Sequence, residues 1–365
     1  MNYKEKLVRS FNGQTVLITG HTGFKGGWLA LWLESLGAKV IGYSLDPPTQ
    51  PSFFRQTGLS QKITDLRGDV RELAALSKVF RKYRPEFVFH LAAQPLVRAS
   101  YKTPHDTFEV NVMGTANVLE AIRLSGTPTV CVCITSDKCY ENREWDYAYR
   151  ENDPMGGHDP YSASKGAAEI VIASYRKSYF GGEGSASPYA LSSARAGNVI
   201  GGGDWAEDRI VPDCVQSLID GKTIIIRNPS AVRPWQFVLD PLSGYLWLAL
   251  AMKEHPDEYS GAWNFGPHYS NNVDVGTLTE KIIREWGSGK WEHPPHTDNL
   301  HEAGFLKLDI AKSVTKLGWR PVYGINEAIQ KTIAWYKADY TRAEDMYKFS
   351  LDQIETYMHD ADNTV

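Results

Sequence analysis

A glycine-rich turn between an apolar run and an amphipathic stretch constrains the fold of this chain more than any other feature. Residues 14–20 read QTVLITG, a β-branched run typical of a buried parallel strand. Residues 27–38 read GWLALWLESLGA, which predicts a helix that stops near Gly37. A second strand-like run, KVIGYSLD, follows over residues 39–46 and ends in an acid. The three segments therefore predict a βαβ unit.

The same alternation continues through the first half of the chain. A third short strand is expected before residues 65–70 (DLRGDV), and the later elements are a helix over 72–83, a strand over 87–93, a helix over 111–125 and a strand over 129–137. Strands that alternate with helices predict a parallel sheet with helices on both faces. The expected fold class is therefore α/β, with a Rossmann-type doubly wound sheet.

The regular alternation weakens after about residue 198, where short elements, glycines and prolines become frequent. We therefore expect a dinucleotide-binding Rossmann domain over residues 1–200, with a returning segment near 236–266. A smaller C-terminal domain, expected to bind substrate, takes residues 201–235 and 267–365 and includes the C-terminal helices.

Composition narrows the class of partner and the compartment. The formal net charge is −4 over 365 residues, which gives no bulk electrostatic reason to bind nucleic acid or an anionic membrane.

The N-terminal residues carry no apolar stretch typical of a signal peptide, and Tyr245–Met252 is far too short to cross a bilayer. The four cysteines have no CxxC spacing and no paired histidines nearby, so we expect buried reduced thiols, no metal site and a cytoplasmic protein.

The turn itself has the composition of a phosphate-binding loop. Glycine suits such a turn because of its backbone freedom, the close approach of a pyrophosphate and the packing of helix against strand. Exposed N–H groups at the helix N-terminus then hold the anion. Asp46 lies 20 residues after Gly26, where an acid accepts hydrogen bonds from the adenosine ribose and repels a 2′-phosphate. The sequence therefore predicts NAD rather than NADP, held by Gly20, Thr22, Gly23, Phe24, Lys25 and Gly26.

A tyrosine and a lysine four residues apart predict the reactive base. Tyr161 and Lys165, in YSASK, lie on one face of a predicted helix. A free tyrosine has a pKa near 10. We expect the ammonium of Lys165 to stabilise the phenolate and lower the pKa of Tyr161, which would let it take a proton from a sugar hydroxyl. A tyrosine and a lysine at this spacing are common by chance. They are stronger evidence for a catalytic pair when a dinucleotide-binding turn precedes them in the same chain.

The order of these motifs resembles the extended short-chain dehydrogenase/reductase family acting on nucleotide sugars. The motifs are GHTGFKG, GDV, HLAAQP, VNVMGT, TSDK, YSASK and ARAGNV. The resemblance implies that Asp69 and Val70 flank the adenine, and that Asn198 contacts substrate near the nicotinamide. It also implies that Leu91, Ala92 and Ala93 line the cofactor path. Tyr161 and Lys165 would contact the cofactor as well as the substrate.

Dehydratases and epimerases of this family differ in the residues that they carry at the positions of Ser136, Asp137 and Lys138. Sugar 4,6-dehydratases carry Thr/Ser-Asp-Glu or a variant there, whereas 4-epimerases carry small, non-acidic residues after the hydroxyl residue. Dehydration explains the acid: once carbon 4 is oxidised, the carbon 5 proton becomes acidic, and the leaving carbon 6 hydroxyl needs a proton. We expect Asp137 to donate that proton and Ser136 to hydrogen bond the 4-hydroxyl.

Lys138 departs from the usual glutamate at the base position. The SDKCYEN string resembles the subgroup of 4,6-dehydratases that acts on cytidine-linked glucose, where this lysine occurs. A lysine acts as a base only when it is neutral, which burial or a nearby cation favours. The alternative is a structural cation that orients Asp137, with Tyr161 or water taking the carbon 5 proton.

The remaining expectations concern substrate and assembly. Arg233 and Arg209 are the candidates for the substrate pyrophosphate, because arginine supplies forked donors; Arg195 is expected only to pair with an acid. The resemblance implies deoxysugar biosynthesis, including lipopolysaccharide precursors, and a homodimer or homotetramer formed by the helices after Asn111 and around Tyr161. A dehydratase or 4-epimerase for a dTDP-, UDP- or GDP-sugar remains open, and so does a catalytically silent NAD-binding relative.

Overall fold

The computed structural model describes residues 2–180, 188–268, 271–294 and 305–363. The strands are β1 (Thr15–Thr19), β2 (Lys39–Ser44), β3 (Thr64–Arg67), β4 (Phe87–His90), β5 (Thr129–Ile134), β6 (Tyr189–Arg195), β7 (Val199–Ile200), β8 (Ile224–Ile225), β9 (Val232–Pro234), β10 (Gln236–Phe237), β11 (Ala262–Asn264), β12 (Asn272–Asp274) and β13 (Trp291–Glu292).

The helices are α1 (Tyr3–Phe11), α2 (Phe24–Ser35), α3 (Phe53–Gln56), α4 (Leu73–Tyr83), α5 (Val97–Lys102), α6 (Pro104–Phe108), α7 (Gly114–Ser125), α8 (Pro160–Ser178), α9 (Ile210–Ile219), α10 (Leu239–Glu254), α11 (Pro256–Tyr259), α12 (Val275–Trp286), α13 (Ala311–Thr315), α14 (Ile325–Thr341) and α15 (Met346–Asp362). Among the described residues, no helix is long and apolar enough to cross a membrane.

The central sheet has seven strands in the order β3-β2-β1-β4-β5-β6-β11, and every pairing is parallel. Residues on its strands alternate between two apolar clusters, as the period of two requires. Val16 and Ile18 face the cluster that contains α2 and α10, whereas Leu17 faces the cluster that contains α4 and α7. The predicted doubly wound parallel sheet is confirmed.

Four predicted boundaries are wrong, and two of them are the strands expected over 87–93 and 129–137, which end at His90 and Ile134. The helix expected from Asn111 has helical backbone from Pro104 onward, with a π-helical segment over Glu109–Met113 before α7. The third strand was expected before residue 65, but it contains Asp65, Leu66 and Arg67. Asp65 and Arg67 are polar, whereas Leu66 packs against an apolar cluster, so the strand alternates between a polar and an apolar face.

The second half of the chain returns to the sheet and to its helices. Strand β11 pairs with β6, and α15 packs against α1 and α2 of the first half. One apolar cluster accordingly runs from Leu7 to Ala361. The division into two domains stays a prediction, and the continuous core shows that the C-terminal helix packs on the first-half layer.

The carboxyl ends of the parallel strands meet at one edge of the sheet. The glycine turn, the Ser136 loop and Asn198 follow β1, β5 and β6 respectively, and Lys138 lies in a short 3-10 helix, Asp137–Cys139. Helix α8 packs against this segment and brings Tyr161 to the same edge. The fold therefore gathers most of the predicted site residues, as expected for open α/β sheets.

Candidate active site

The glycine turn after β1 is held by its own backbone and by β4. Gly20 has a φ of +78°, and a Cβ there would lie 2.7 Å from the Ala92 nitrogen. A Cβ on Gly26 would lie 2.1 Å from the Gly20 oxygen, so the polypeptide itself requires both glycines. Gly23 has a φ of −80°, and its Cβ would make an ordinary contact at 3.4 Å. Glycine at position 23 therefore keeps the N-terminus of α2 open to a ligand.

Hydroxyl groups tie this turn to neighbouring strands. Thr22 Oγ1 lies 2.9 Å from Ser44 Oγ and donates to the Leu45 oxygen at 3.0 Å. Ala92 donates its N–H to Thr19 Oγ1 at 3.2 Å, and residues 91–93 are half-buried beside the turn. These hydrogen bonds hold the ends of β1, β2 and β4 together around the turn.

The predicted adenosine side lies at the ends of β2 and β3. Asp46 follows β2 with an 85% exposed side chain, and Asp69 lines a cavity of about 560 Å³ with Tyr43 and Gly68. The carboxylate of Asp69 accepts from the Arg71 N–H at 2.9 Å and from its guanidinium, which holds the pKa of Asp69 below its ordinary value. Val70 is buried and packs against the helix N-terminus at Gly114.

The acid of the Ser136 loop is buried and hydrogen bonded on both oxygens. Ser136 Oγ donates to Asp137 Oδ1 at 2.9 Å, and Asn198 Nδ2 donates to Asp137 Oδ2 at 3.3 Å. A Cβ at Gly197 would lie 2.0 Å from Asp137 Oδ2, so only glycine leaves room for this carboxylate. Asn198 itself has a φ of +53°, an uncommon conformation for a residue other than glycine.

Tyr161 and Lys165 lie one turn apart near the N-terminus of α8 and are both buried. Asp159 caps this helix by accepting from the Ser162 N–H at 2.9 Å, and Tyr161 donates its own N–H to Ser100 Oγ at 3.2 Å. Lys165 Nζ approaches the Ile134 oxygen at 3.4 Å. The pair therefore stands directly against the end of β5.

The expected lowering of the Tyr161 pKa is wrong for the polypeptide alone. Burial raises the pKa of Tyr161 to about 12, although its hydrogen bond with Ser136 and the charge of Arg209 oppose that rise. Burial also lowers the pKa of Lys165 to about 8. Desolvation is the largest cause of the shift for both groups, and a sequence motif does not report it.

Lys25 reaches further into the site than its place in the turn indicated. Its Nζ lies 3.5 Å from the hydroxyl of Tyr245 on α10. Burial, together with the charges of Lys165 and Arg209, lowers the pKa of Lys25 to about 7, while the charge of Asp137 opposes this shift. The glycine turn therefore places the Lys25 side chain near the predicted catalytic residues.

The predicted substrate arginines lie in different surroundings. Arg209 forms an ion pair with Asp204 at 2.7 Å and is close enough to Tyr161 for its charge to affect that phenol. Arg233 lies on β9 and donates to the Val232 oxygen at 3.0 Å. Arg195 pairs with Glu169 at 2.7 Å, in agreement with the expectation that it binds an acid.

Comparison with known proteins identifies the family of this chain. A family model described as GDP-mannose 4,6 dehydratase matches residues 17–332. The chain belongs to this family. A curated member, CDP-glucose 4,6-dehydratase of Salmonella typhimurium, is 46% identical over 95% of this chain and 97% of its own length.

Solved structures agree with this family membership. UDP-glucose 4-epimerase of Thermus thermophilus in complex with NAD is 25% identical, with a TM-score of 0.75 over 89% of this chain and 99% of that chain. dTDP-glucose 4,6-dehydratase of Streptomyces venezuelae is 21% identical, with a TM-score of 0.75 over 91% and 100%. The fold is therefore that of the epimerases and dehydratases of nucleotide sugars.

In this member of the GDP-mannose 4,6 dehydratase family, Lys138 directly follows Asp137 and borders a cavity beside the Ser136 loop. Its backbone N–H donates to Ser136 Oγ at 3.2 Å. Its side chain lines a cavity of about 280 Å³ together with Tyr140, His158 and Asp159. Among the described residues, Lys138 forms no ion pair with Asp137.

The sequence analysis did not identify the buried residues that hold the site residues in place. Glu169 lies one turn beyond Lys165 and accepts hydrogen bonds from Thr135 and Ser193. Helical spacing alone places Tyr161, Lys165 and Glu169 on one face of α8. This spacing could have identified Glu169 from the sequence. It could not identify its ion-pair partner, because Arg195 lies on β6 and not on α8.

Gly23→Ala tests whether the open turn serves a ligand. Because the substitution is free of strain, we expect the free energy of unfolding to stay within about 1 kcal/mol of wild type. The added methyl group should weaken NAD binding by about tenfold or more, because it stands where a pyrophosphate approaches. Urea unfolding and titration calorimetry measure the two effects.

Gly26→Ala is the matched control, since its Cβ would collide with the Gly20 oxygen and should reduce stability itself. Unchanged NAD affinity in Gly23→Ala would show that this glycine does not face the dinucleotide.

Proposed function

We propose that this protein is an NAD-dependent nucleotide-sugar 4,6-dehydratase, a hydro-lyase that converts CDP-D-glucose to CDP-4-dehydro-6-deoxy-D-glucose and water. The observation that carries the proposal is its 46% identity, over nearly the whole of both chains, to a protein named CDP-glucose 4,6-dehydratase. The buried Asp137 beside Tyr161 supplies the acid that dehydration requires and that epimerisation does not.

The residues of the turn fit NAD. Gly23 leaves an opening that a Cβ would fill, the N-terminus of α2 presents N–H groups, and Asp46 stands at the end of β2. NAD, when bound, would supply a hydride acceptor for carbon 4, with a positively charged nicotinamide ring, and in its reduced form the hydride donor for carbon 6, so that no net oxidant is consumed. Gly20, Gly23 and the end of α2 would hold its pyrophosphate, and Asp46 its adenosine ribose.

Oxidation at carbon 4 needs a base for the hydroxyl proton. Tyr161 takes that proton, and Ser136 orients the same hydroxyl by a hydrogen bond. Arg209 is the protein cation whose charge favours the phenolate, and Lys165 lies one helical turn from Tyr161 on α8. Because the pKa of Tyr161 is raised to about 12 even with the Ser136 hydrogen bond and the charge of Arg209, the phenolate depends further on the charge of the bound ligand.

Elimination across carbons 5 and 6 needs an acid and a base. Asp137 donates the proton to the leaving carbon 6 hydroxyl. Hydrogen bonds from Ser136 and Asn198 hold the carboxyl group of Asp137 in place. Lys138 takes the carbon 5 proton, a role that suits a side chain lining a cavity. Its lack of an ion pair with Asp137 among the described residues disfavours the alternative role of an orienting cation.

The substrate diphosphate is assigned to Arg233 and Arg209. Both lie in the second half of the chain, at β9 and at the N-terminus of α9. Guanidinium groups match phosphate oxygens in charge and geometry. Arg209 also lies close enough to Tyr161 to bring the sugar end of the substrate to the base.

The setting of the reaction is inferred from its chemistry. All four cysteines are buried and free, which supports a reducing compartment, the cytoplasm. A 4-keto-6-deoxy sugar nucleotide is a precursor of deoxysugars, and we assign the enzyme to that biosynthesis, with lipopolysaccharide precursors as the expected use.

A panel of sugar nucleotides tests the assignment. With NAD present, we expect CDP-D-glucose to be converted to a 4-keto-6-deoxy product with loss of one water, far faster than dTDP-, UDP- or GDP-linked hexoses. NMR spectroscopy and mass spectrometry identify the product. Tyr161→Phe, which removes only the phenol hydroxyl, should lower the rate by about 10²–10⁴-fold.

Other outcomes would replace the proposal. A product inverted at carbon 4 with its water retained would make the protein an epimerase, and preference for another nucleotide would reassign the substrate. Binding of NAD without turnover of any sugar would favour a catalytically silent relative.

We also propose a homodimer formed through the face of α7 and α8. Large apolar side chains are exposed there: Met113 is 55% exposed, Leu124 54% and Ile170 63%, with Tyr179 beyond the end of α8. Apolar side chains gathered on neighbouring helices are typical of an interface. Two copies would pair these helices into a four-helix bundle.

Ile170→Asp tests this interface, because a carboxylate at its centre would be costly to desolvate. We expect sedimentation velocity to show a dimer for wild type and a monomer for the variant at equal concentration. Ile225→Asp is the matched control, since Ile225 is 51% exposed on β8, away from this face. A wild-type monomer, or an unaffected dimer in Ile170→Asp, would contradict this interface.

A further inference from the structure

Arg67, the last residue of β3, lies between the acid of the adenosine site and the adjoining cavity. Its Nε is 3.1 Å from Asp46 Oδ1. Its two terminal nitrogens lie 3.0 Å from the two oxygens of Asp65. The guanidinium also stands over the ring of Phe54, 5.1 Å from the centroid. Two carboxylates and an aromatic ring therefore hold this arginine in one place.

The register of the sheet places Arg67 beside the end of β2. Ser44 and Arg67 are Cα partners across β2 and β3, and Asp46 follows Ser44 by two residues. Arg67 lines the cavity of about 560 Å³ that also contains Asp69. An acid at the end of β2 binds the ribose 2′-hydroxyl of NAD, and an arginine near this position accommodates the 2′-phosphate of NADP. This chain carries both groups in contact.

We propose that Asp46 and Arg67 together determine the choice between NAD and NADP, with Arg67 a latent ligand for a 2′-phosphate that Asp46 keeps occupied. The inference rests on the proposed function, because it places the adenosine of the dinucleotide at the end of β2. It adds a specificity-determining residue, Arg67, to the cofactor site.

Local charge decides which cofactor is preferred. Asp46, Asp65 and Arg67 sum to one negative charge, so a phosphate beside the ribose meets net repulsion in the wild-type protein. Removing the charge of Asp46 leaves Asp65 and Arg67 balanced and frees the Nε–H of Arg67 to donate to a phosphate oxygen. The Asp46–Arg67 pair is solvent-exposed, so it contributes little to stability and the substitution should leave the fold intact.

The experiment compares NAD and NADP binding by titration calorimetry on the full chain, freed of nucleotide, in four forms: wild type, Asp46→Asn, Arg67→Gln and the double variant. Wild type should prefer NAD by about 100-fold or more. Asp46→Asn should bind NADP about tenfold more tightly than wild type, and NAD somewhat more weakly, because a ribose contact is lost. In the double variant the gain toward NADP should disappear. Arg284→Gln, at an exposed arginine on α12, controls for the general loss of a positive charge.

The outcomes separate this inference from the proposed function. If wild type binds NAD but Asp46→Asn gains no affinity for NADP, or the gain persists without Arg67, the inference is wrong and the NAD site stands. If wild type binds neither dinucleotide, the proposed function fails and the inference falls with it.

Discussion

A buried ion pair between Arg195 and Glu169 holds together the three elements that carry the reactive groups. The two side chains are each 4% exposed, and their charged atoms lie 2.7 Å apart. Burial opposes the charge on Glu169, but Arg195 and hydrogen bonds from Thr135 and Ser193 outweigh it and keep the pKa of Glu169 below its ordinary value. Removal of one partner from such a pair costs about 3–5 kcal/mol, because the other charge stays buried.

This pair connects the chemistry to the sheet. Glu169 belongs to the helix of Tyr161 and Lys165, and Thr135 precedes the Ser136 loop directly. Arg195 also donates to the Tyr140 hydroxyl at 2.7 Å, just beyond that loop. The proposed base on α8 and the proposed acid after β5 thus keep a fixed separation, although they belong to distant parts of the sequence. Preorganised positions of this kind are what an acid–base sequence on one sugar requires.

Around the proposed reaction centre, the positively charged side chains of the polypeptide outnumber the negatively charged ones. Lys25, Lys165 and Arg209 surround Asp137 and Tyr161, and burial lowers the pKa of the two lysines to about 7 and about 8. A site with this excess of cations suits ligands that bring diphosphates. Burial raises the pKa of Tyr161 to about 12 despite the charge of Arg209, so further positive charge from a bound ligand would favour the phenolate.

Sequence reasoning succeeded where the signal was local. The glycine turn, the tyrosine–lysine spacing and the alternation of strands and helices each lie within one short segment, and the structure places them as expected. It failed where the result depended on desolvation or on distant partners. The pKa of Tyr161 moved in the opposite direction, Lys25 reached beyond its turn, and the partners of Arg67 and Arg195 come from other elements.

Transfer of deuterium from carbon 4 to carbon 6 tests the central claim most directly. The enzyme would be incubated with an equimolar mixture of CDP-D-glucose deuterated at carbon 4 and CDP-D-glucose labelled with ¹³C. The account predicts deuterium at carbon 6 of the 4-keto-6-deoxy product, without crossover to the ¹³C molecules. Deuterium that stays at carbon 4, or that leaves the sugar altogether, would contradict it.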